Sequence, residues 1–416
     1  HTISLRVRDN NNAWSAPATD SLIVLQGQRV FFTDDFSADS RSQYIVENTW
    51  TNGGIGQFLY DGTNKRLSVL TGDNVGIKFS KIFPSASDTG ILQLDFLPTQ
   101  KYPQGGEFLL KLVQDDLNYY EIYNTDGYGP GMVSKVVNGQ VITNEKFMSS
   151  YRQNTNYLVQ VSFSPTKDVV QAFNDLVFLN TAPTSILVNS FSIELRQQRA
   201  YFDNFGYGND LSDAYVSLGD SITKGSRDDI FSDGIGYPPI LARLLTKLNL
   251  YPQIIFNEGI SGHTTADGLL RLPSLLEKYQ YSSTFLLQYG TNDAQIFMDS
   301  GLGLHAGDIG YEGSFKDNMQ QIITQLVCAE KIPYLAKVPY ATGDHAYLLP
   351  YIQEYNNVID ELASENNIAI APPDFYGFFL DNQDKLEDGL HPNGAGYQSM
   401  AILWCETILG EGAGCN

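Results

Sequence analysis

The pattern of hydrophobic and polar positions changes near residue 212 of the 416-residue chain. From about residue 31 to residue 205, apolar and polar residues alternate in short runs separated by turn residues, which is typical of β-strands. After residue 212, short apolar runs alternate with longer stretches whose apolar residues recur at helical spacing. The sequence therefore predicts an all-β region followed by an α/β region.

The all-β region has the strand lengths and strand spacing of a two-sheet sandwich. Four of its predicted strands span residues 106–113, 119–123, 157–163 and 186–195. Asn138-Gly139 lies between two further strand candidates and predicts a two-residue hairpin, because both positions of such a turn need positive φ. Before this region, residues 2–8 and 21–25 alternate around a polar turn and predict a separate pair of strands.

The α/β region contains five short apolar runs, each followed by a polar or helical stretch. The runs, predicted to be strands, span residues 214–218, 253–257, 284–289, 332–338 and 368–371. The predicted helices lie near residues 237–249, 266–280, 314–330, 350–365 and 394–409. Units of this kind predict a five-stranded parallel sheet with helices on both faces, and ligands of such sheets bind beyond the carboxyl ends of the strands. Ser221, Gly262 and Asn292 follow the first three strands, so we expect them on one rim of the sheet.

The formal net charge of −21 limits the partners of this protein. The phosphates of nucleic acids and the surfaces of anionic membranes would repel such a chain, so neither is an expected partner. No apolar run approaches the roughly 18–20 residues that a membrane-spanning helix needs. The chain begins at His1 without a signal-peptide pattern, from which we expect a mature or trimmed fragment.

Three cysteines are too few for a disulfide-based scaffold. Cys328 lies in an amphipathic helical stretch and is predicted to be buried. Cys405 and Cys415 flank a glycine-rich tail and can pair if the protein is exported, and the sequence leaves both states open. The abundant Tyr, Phe, Asn, Gly and Thr are typical of exported bacterial β-rich proteins, so we expect a secreted, periplasmic or cell-surface location.

Ser221 is the candidate nucleophile of the α/β region. A serine hydroxyl needs an adjacent base at neutral pH, and histidine is the usual one. Of the five histidines, His391 alone has an acid three residues before it on a stretch that cannot form a regular helix. The glycine after Asp388 favours a turn and the proline after His391 favours an extended backbone, so Asp388 can orient the imidazole that takes the Ser221 proton. The alternative is a structural loop acid and loop histidine.

Three further groups can stabilise the oxyanion that forms in acyl transfer, which needs two or three fixed N–H donors. Ser221 can supply its backbone N–H, Gly262 can supply another from an open loop, and Asn292 can add its side-chain amide. A simple Asx turn is the alternative around Asn292. His263 and His345, in loops on the same predicted rim, are candidate substrate contacts, with solvent-exposed loop histidines as the alternative.

Four stretches of the α/β region carry these residues. They are residues 216–222 (VSLGDSI), 257–264 (NEGISGHT), 290–293 (GTND) and 388–392 (DGLHP). Together and in this order they resemble the signature blocks of the SGNH (GDSL) hydrolase family, over about half of the chain. The resemblance implies an α/β/α three-layer, flavodoxin-like domain. It also implies a catalytic triad of Ser221, Asp388 and His391 and an oxyanion hole of Ser221, Gly262 and Asn292.

Residues 34–36 (DDF) and 202–205 (FDNF) open and close the all-β region. They are similar to the first and last strands of concanavalin-like (laminin-G-like) jelly rolls, which often bind sugars. The aromatic residues that are candidates for a glycan platform, or else for the sandwich core or a domain contact, are Tyr119, Tyr120, Tyr123 and Tyr128. Asp34, Asp35 and Asp203 are candidates for a structural Ca²⁺ site, with solvated surface acids as the alternative.

We therefore expect a multidomain protein with three parts. Residues 1–28 resemble the remnant of an immunoglobulin-like or PKD-like β domain, residues 29–210 form a jelly-roll β-sandwich, and residues 211–416 form an SGNH hydrolase domain. The expected function is that of an exported serine esterase that removes acyl groups, above all acetyl, from a polysaccharide or oligosaccharide through an acyl-enzyme on Ser221, without a required cofactor. The alternatives are a short-chain carboxylesterase, lipase-like enzyme or thioesterase, and a non-catalytic glycan-binding or adhesion protein. The sequence leaves the oligomeric state open.

Overall fold

The computed structural model describes residues 2–5, 18–21, 31–101, 105–127, 129–148, 150–173, 175–179, 184–211, 214–228, 236–249, 251–410 and 412–415. The chain divides into two compact units, His1–Val30 and Phe31–Asn416. In the first unit, strand β1 (Thr2–Leu5) pairs antiparallel with strand β2 (Ala18–Ser21). The structure thus has a pair of strands in this unit, but β2 shares only Ser21 with the second strand predicted at residues 21–25. Predicted strand positions 6–8 and 22–25 lie outside the described residues.

The second unit begins with two antiparallel sheets. Their strands are β3 (Phe31–Asp34), β4 (Ile45–Thr51), β5 (Gln57–Asp61), β6 (Arg66–Leu70), β7 (Val75–Ser87), β8 (Gly90–Lys101), β9 (Glu107–Asp115), β10 (Asn118–Thr125), β11 (Met132–Val137), β12 (Gln140–Lys146), β13 (Tyr157–Phe163), β14 (Asp168–Ala172), β15 (Asp175–Leu179), β16 (Val188–Arg196) and β17 (Gln198–Gly208). One sheet, the free sheet, has the order β12-β11-β10-β9-β16-β7-β4. The other, the buried sheet, has the order β15-β14-β13-β8-β17-β6-β5, with β3 paired to β17. These antiparallel sheets are consistent with the predicted β-sandwich.

The hairpin predicted at Asn138-Gly139 is confirmed. The two residues connect β11 to β12, and their φ angles are 51° and 75°. Both values lie in the left-handed region that the dipeptide tolerates better than other residue pairs. The local preference of these two residues therefore accounts for the turn.

Aromatic side chains fill the space between the two sheets. Phe79 packs edge-on against Phe202 with ring centroids 5.2 Å apart, and Phe83 stacks on Tyr207 at 3.6 Å. Tyr120 belongs to this core, and its hydroxyl donates a hydrogen bond to buried Asp168 at 3.0 Å. Each fully buried ring of this kind contributes about 1.5–3 kcal/mol to the free energy of unfolding. Tyr120 is therefore a core residue and not part of an exposed platform.

The α/β region continues the same compact unit. Its elements are β18 (Tyr215–Gly219), α1 (Ser221–Lys224), α2 (Tyr237–Asn249), β19 (Ile255–Gly259), α3 (Thr265–Lys278), β20 (Thr284–Gln288), α4 (Thr291–Gln295), α5 (Phe315–Cys328), β21 (Ile332–Leu335), α6 (Leu349–Glu365), α7 (Phe375–Asp381) and α8 (Gly394–Leu409). Short 3-10 helices span Arg41–Gln43, Gly343–Leu348 and Gln383–Lys385. The strands are parallel in the order β19-β18-β20-β21. Five of the α-helices, namely α2, α3, α5, α6 and α8, confirm the five predicted helical stretches.

Alternate residues of the parallel strands face two separate cores. Val216 and Leu218 of β18 pack with buried residues of α3, α5 and α6. Ile255 of β19 and Leu286 of β20 pack on the other face with residues of α2 and α8. The period-two alternation of the strands and the apolar faces of the helices therefore produce three layers.

The parallel sheet has four strands among the described residues, so the prediction of a fifth strand at 368–371 is wrong. This segment runs into Pro372-Pro373, and neither proline has an N–H to donate to a neighbouring strand. Lys337 N donates to Pro373 O at 3.2 Å, which joins the segment to the chain beyond β21 without forming a ladder. An apolar run of strand length was not sufficient to form a strand next to two prolines.

The sandwich and the α/β region pack together through the buried sheet. All seven residues of β13 are buried, because Val159 and Val161 face the sandwich core while Leu158 packs with residues of the α/β region. Arg243 of α2 donates from Nε to Asp95 Oδ1 of β8 at 2.7 Å across the same junction. A strand that is buried on both faces is expected only where a second layer covers its outer side.

The structure answers one question that the sequence left open about the cysteines and tests one prediction. Cys405 and Cys415 form a disulfide, which closes the loop after α8. The prediction that Cys328 is buried is wrong, because its side chain is exposed near the end of α5. The buried face of α5 includes Met319, Ile323 and Leu326, and Cys328 lies off this stripe.

Within the described residues, no helix is long and apolar enough to cross a membrane.

Candidate active site

Ser221 lies at the point where β18 ends and α1 begins. Gly219 ends the strand, and a Cβ there would clash with Thr223 and with the carbonyl of Gln288, so the turn needs glycine. Asp220 caps α1, since its Oδ1 accepts a hydrogen bond from Ile222 N at 2.8 Å. This geometry presents Ser221 as the first residue of α1 at the carboxyl end of the parallel sheet.

The structure brings the three residues of the predicted triad together. Ser221 Oγ lies 2.9 Å from His391 Nε2. His391 Nδ1 lies 3.0 Å from Asp388 Oδ2 and 3.2 Å from Asp388 Oδ1. The turn that follows Asp388 aims the carboxylate back at the imidazole, because Oδ1 also accepts from Leu390 N at 3.1 Å and from His391 N at 2.8 Å. A continuous hydrogen-bonded chain therefore joins a hydroxyl, an imidazole and a carboxylate.

The environment of Asp388 favours its ionised form. Partial burial opposes ionisation, but hydrogen bonds from the backbone and side chain of His391 outweigh it and lower the pKa of Asp388. Sequence reasoning missed Arg227, whose Nε lies 3.5 Å from Asp388 Oδ2. Nothing in the sequence near Arg227 indicates this contact, which depends on how the chain after α1 folds back. Since the Arg227 side chain is 57% exposed, the pair contributes little by itself.

Two of the three residues predicted to form an oxyanion hole, Gly262 and Asn292, lie on adjacent segments. Asn292 lies in the first turn of α4, and one N–H of its amide donates to His263 O at 3.0 Å. That carbonyl belongs to the residue directly after Gly262, which has a φ of 83°. A side-chain amide has two N–H groups, so the contact with His263 leaves Asn292 a second donor. The structure thus places the Asn292 amide next to the Gly262 loop.

Asp293 joins the two stretches that contain Gly262 and Asn292. Its carboxylate accepts hydrogen bonds from the backbone N of Thr265 at 3.0 Å and from the Thr265 hydroxyl. Burial raises the pKa of Asp293 to about 6, although these hydrogen bonds partly offset the shift. Burial likewise raises the pKa of Asp220 to about 7, with a smaller contribution from the charge of Asp293. Asp293 therefore connects the two stretches through hydrogen bonds, whereas Asp220 caps the helix that begins with Ser221.

Backbone hydrogen bonds connect the segments of His263 and His345 to residues of the candidate site. His263 accepts the Asn292 hydrogen bond through its carbonyl oxygen, and the 3-10 helix of His345 follows Thr342, whose N donates to Gly389 O at 2.8 Å. Both side chains are half-buried, and no described residue forms a hydrogen bond with Nδ1 of either ring. A substrate-contact role for these two side chains stays a prediction.

The predicted calcium ligands lie in the sandwich. Asp34 Oδ2 accepts hydrogen bonds from Ser40 Oγ at 2.6 Å and Tyr44 OH at 2.8 Å, and Asp203 Oδ1 accepts from the backbone N of the next residue. Burial, together with the charges of Asp95, Asp35 and Asp34, raises the pKa of Asp203 to about 7. In the part of the chain that the structure describes, no group of three or more His, Cys, Asp or Glu side chains is arranged to hold a metal ion. A calcium-binding role for Asp34, Asp35 and Asp203 stays a prediction.

A parallel sheet between helices, with a Ser-His-Asp chain at the carboxyl ends of its strands, is an arrangement suited to nucleophilic hydrolysis. Residues 217–399 match the model of the GDSL-like Lipase/Acylhydrolase family. Thioesterase 1/protease 1/lysophospholipase L1 of Escherichia coli (strain K12) is 27% identical to this chain over 183 residues, which cover 44% of this chain and 76% of that protein. The C-terminal half of the chain thus contains a GDSL (SGNH) hydrolase domain.

Solved structures are also similar to this half of the chain. A lipase/acylhydrolase from Enterococcus faecalis has 26% sequence identity and a TM-score of 0.37, and the match covers 47% of this chain and 94% of that one. An acetyl xylan esterase variant from Geobacillus stearothermophilus has 22% identity and a TM-score of 0.39, over 48% of this chain and 95% of that one.

Proposed function

We propose that this protein is a serine esterase that hydrolyses acyl esters, with acetyl esters on a polysaccharide or oligosaccharide as its substrates. The observation that carries the proposal is the hydrogen-bonded chain Ser221-His391-Asp388. The reaction needs water and no cofactor.

The proposed reaction has two halves. Ser221 Oγ attacks the ester carbonyl carbon while His391 Nε2 takes the hydroxyl proton, and the oxyanion accepts hydrogen bonds from Ser221 N, Gly262 N and the free N–H of Asn292. The C–O bond to the sugar then breaks, and His391 returns the proton to the leaving alcohol. In the second half, His391 takes a proton from water, whose oxygen attacks the acyl-enzyme. Release of the acid restores the Ser221 hydroxyl. Asp388 holds the imidazole and stabilises its charged form throughout.

The location that we propose is outside the reducing cytoplasm. The Cys405–Cys415 disulfide supports it, since such bonds form and persist mainly in oxidising compartments.

The sandwich supports the carbohydrate part of the proposal. The outer face of the free sheet carries a groove of about 350 Å³, whose lining includes Lys111, Tyr119 and Arg196. The Lys111 ammonium lies 4.1 Å from the centroid of the Tyr119 ring and pairs with Glu121 at 2.8 Å. Polar groups beside a partly exposed aromatic ring suit a sugar, whose hydroxyls need hydrogen bonds and whose C–H face packs on a ring. We therefore propose this face as a contact for the polymer.

Tyr119→Ala tests this contact. We expect the KM for an acetylated polysaccharide to rise roughly fivefold, because one ring contact is lost, while turnover of a small aryl acetate stays unchanged. The measurement is steady-state hydrolysis of both substrates. Tyr201→Ala, which removes a half-buried tyrosine of the buried sheet, is the matched control. Point variants are preferable to removing the sandwich, because its junction with the α/β region is buried. A Tyr119 variant with unaltered KM for the polymer would contradict the contact.

A second candidate is a carboxylesterase or thioesterase for longer acyl chains. A cavity of about 300 Å³ on the α/β region is lined in part by Met298, Leu302, Leu304 and Tyr351. Phe297 lies next to it, 56% exposed, and packs on Tyr351 at a centroid distance of 5.3 Å. The curated relative from Escherichia coli bears the name of a thioesterase and lysophospholipase. The cavity with these side chains could bind an apolar acyl group as well as a sugar.

One panel distinguishes the two candidates. Wild-type protein is incubated with acetylated polysaccharides, with aryl esters of increasing chain length and with acyl thioesters, and the released acid is quantified. We expect acetate release from at least one polymer and a decline of kcat/KM beyond short acyl chains. A rise of kcat/KM with chain length, without release from any polymer, would favour the second candidate.

A further inference from the structure

Strand β19 lies at the edge of the parallel sheet, yet its outer side is buried against the sandwich. β18 pairs with one side of β19. On the other side, the carbonyl oxygens of Gln253 and Ile255 and the N–H of Asn257 bond to side chains of the buried sheet. Gln253 is 1% exposed and Ile255 is 0% exposed. Water cannot reach backbone groups that are buried at the edge of a sheet, so these groups need hydrogen-bond partners within the protein.

Two glutamines of the buried sheet supply these partners. Gln160 on β13 and Gln171 on β14 are cross-strand neighbours. Gln160 Nε2 donates to Gln253 O at 2.9 Å. Gln171 Nε2 donates to Ile255 O at 2.9 Å, and Gln171 Oε1 accepts from Asn257 N at 2.8 Å. The amide of Gln171 thus donates and accepts at the edge of β19 as the peptide group of a further strand would.

The same glutamines hold one another in position. Gln171 Nε2 also lies within hydrogen-bond distance of Gln160 Oε1, at 3.1 Å, and Gln160 Nε2 donates to Gln93 Oε1 at 3.3 Å. Gln93 and Gln160 are fully buried. Because the row is hydrogen-bonded along its length, the amide of Gln171 has a defined orientation towards β19.

Asn257 connects this junction to the candidate active site. Its Oδ1 accepts from Gly259 N at 3.0 Å, and its Nδ2 donates to Lys224 O at 3.3 Å. Lys224 is the last residue of α1, the helix that begins with Ser221. Gly259 is the last residue of β19, and the chain leads from it directly into the loop of Gly262. One asparagine therefore contacts both the helix of the nucleophile and the start of the candidate oxyanion loop.

We propose that Gln171 of the sandwich is a positioning residue for the candidate oxyanion hole. It fixes the edge strand that presents Gly262 and, through Asn257, the end of the helix that presents Ser221. The inference rests on the proposed function, since it concerns the rate of acyl transfer at Ser221. It makes the sandwich part of what aligns the site, independently of any contact with substrate.

Gln171→Met is the first test. Methionine has a similar length and removes both hydrogen bonds to β19. We expect kcat for a small aryl acetate to fall about tenfold or more, with KM changed less than about twofold, because a displaced oxyanion donor acts mainly on the transition state. Steady-state kinetics are measured together with thermal unfolding. A folded variant with wild-type kcat would overturn the proposal.

Gln171→Glu provides a second test, in which the pH dependence of kcat is measured. A residue that only stabilises the fold would not change this pH dependence. Its carboxylate can accept from Asn257 N but repels Ile255 O, whereas a protonated carboxyl can donate to that oxygen. The ratio of variant to wild-type kcat should therefore rise as the pH is lowered from about 8 to about 6, since partial burial and the adjacent carbonyl oxygen of Ile255 favour the protonated form. If Gln171→Met does not fold, the pH dependence of the kcat ratio for Gln171→Glu is the test of the proposal. A ratio that is independent of pH contradicts it.

The matched control is Thr166→Val. Thr166 Oγ1 lies 2.8 Å from Tyr281 OH, a hydrogen bond between the sandwich and the α/β region that does not involve β19. We expect kcat to be unchanged. An equal loss of kcat in this variant would overturn the specific role of Gln171.

A covalent reagent separates this inference from the proposed function. The rate at which an organophosphorus ester modifies Ser221 depends on the same alignment and is followed by mass spectrometry. If the wild type reacts with the reagent but hydrolyses no ester, the proposed substrate class fails, while the effect of Gln171→Met on the modification rate still tests the positioning role. A wild type that does not react overturns both.

Discussion

Ser221→Ala lowers kcat for hydrolysis of a small aryl acetate by about 10⁴-fold or more, while the protein stays folded. The oxygen of the Ser221 hydroxyl is the atom that would attack the ester, and His391 acts on it as the base through the hydrogen bond at Nε2. Alanine fits the space because it removes one oxygen from a buried residue at the start of α1. The measurement is steady-state hydrolysis, combined with the mass of the protein after exposure to an organophosphorus ester. Wild type should gain the mass of one adduct, and the variant should not.

Ser274→Ala provides the control. Ser274 lies on α3, and its exposed hydroxyl donates to the carbonyl of Arg271 three residues before it. We expect wild-type kcat and one adduct in this variant. Ester hydrolysis by Ser221→Ala at the wild-type rate would show that another residue is the nucleophile, and the proposed site would then be wrong.

Asp388→Asn lowers kcat by about 10³- to 10⁴-fold, although it changes a single atom. Asp388 Oδ1 accepts from the backbone N–H groups of Leu390 and His391, so the oxygen of asparagine can take this place and keep the turn. The amide nitrogen then faces His391 Nδ1, where Oδ2 lies at 3.0 Å in the wild type. An N–H donor at this position selects the imidazole tautomer whose Nε2 carries the proton. That tautomer cannot take the proton of Ser221.

The stability of Asp388→Asn should change little, which distinguishes the effect on the tautomer from unfolding. Thermal unfolding and hydrolysis of the aryl acetate are measured on the same samples. Asp381→Asn makes the same substitution at the exposed end of α7, seven residues before Asp388 in the chain, and should keep wild-type kcat. If Asp388→Asn retained more than about a tenth of wild-type kcat, the carboxylate would not be what orients the imidazole.

A large part of the candidate site could be predicted from the sequence, because the residues concerned follow consecutive parallel strands. Such strands end at one edge of a sheet, so Ser221, Gly262 and Asn292 had to approach one another once the strands paired. The turn at Asp388 was equally predictable, since it depends on the glycine and proline beside it. The hairpin at Asn138-Gly139 followed from the φ angles that these two residues tolerate.

Other features depended on contacts between segments that are distant in the sequence. Residues 368–371 have the composition of a strand, but Ile368 N bonds to Ala363 O at the end of α6, and the following Pro372 and Pro373 have no N–H with which to extend a ladder. Cys328 lies in a helix whose pattern is amphipathic, yet its position just off the buried stripe became evident only when α5 packed on the sheet. Arg227 reaches Asp388 across more than 150 residues of chain, and no local pattern encodes such a contact.

The sequence by itself determined five of the helices, the first four parallel strands, and the position of Ser221, Gly262 and Asn292 after three of those strands, because local periodicity and turn preferences decide where such elements begin and end. Only the tertiary structure decided what covers the outer edge of β19. The polar residues Gln160 and Gln171 interrupt apolar strands, and the sequence alone does not say whether such side chains face water or a partner. In the folded protein Gln171 bonds to β19 and Gln160 bonds to Gln253 just before it, since amides and backbone groups that are removed from water need each other's donors and acceptors.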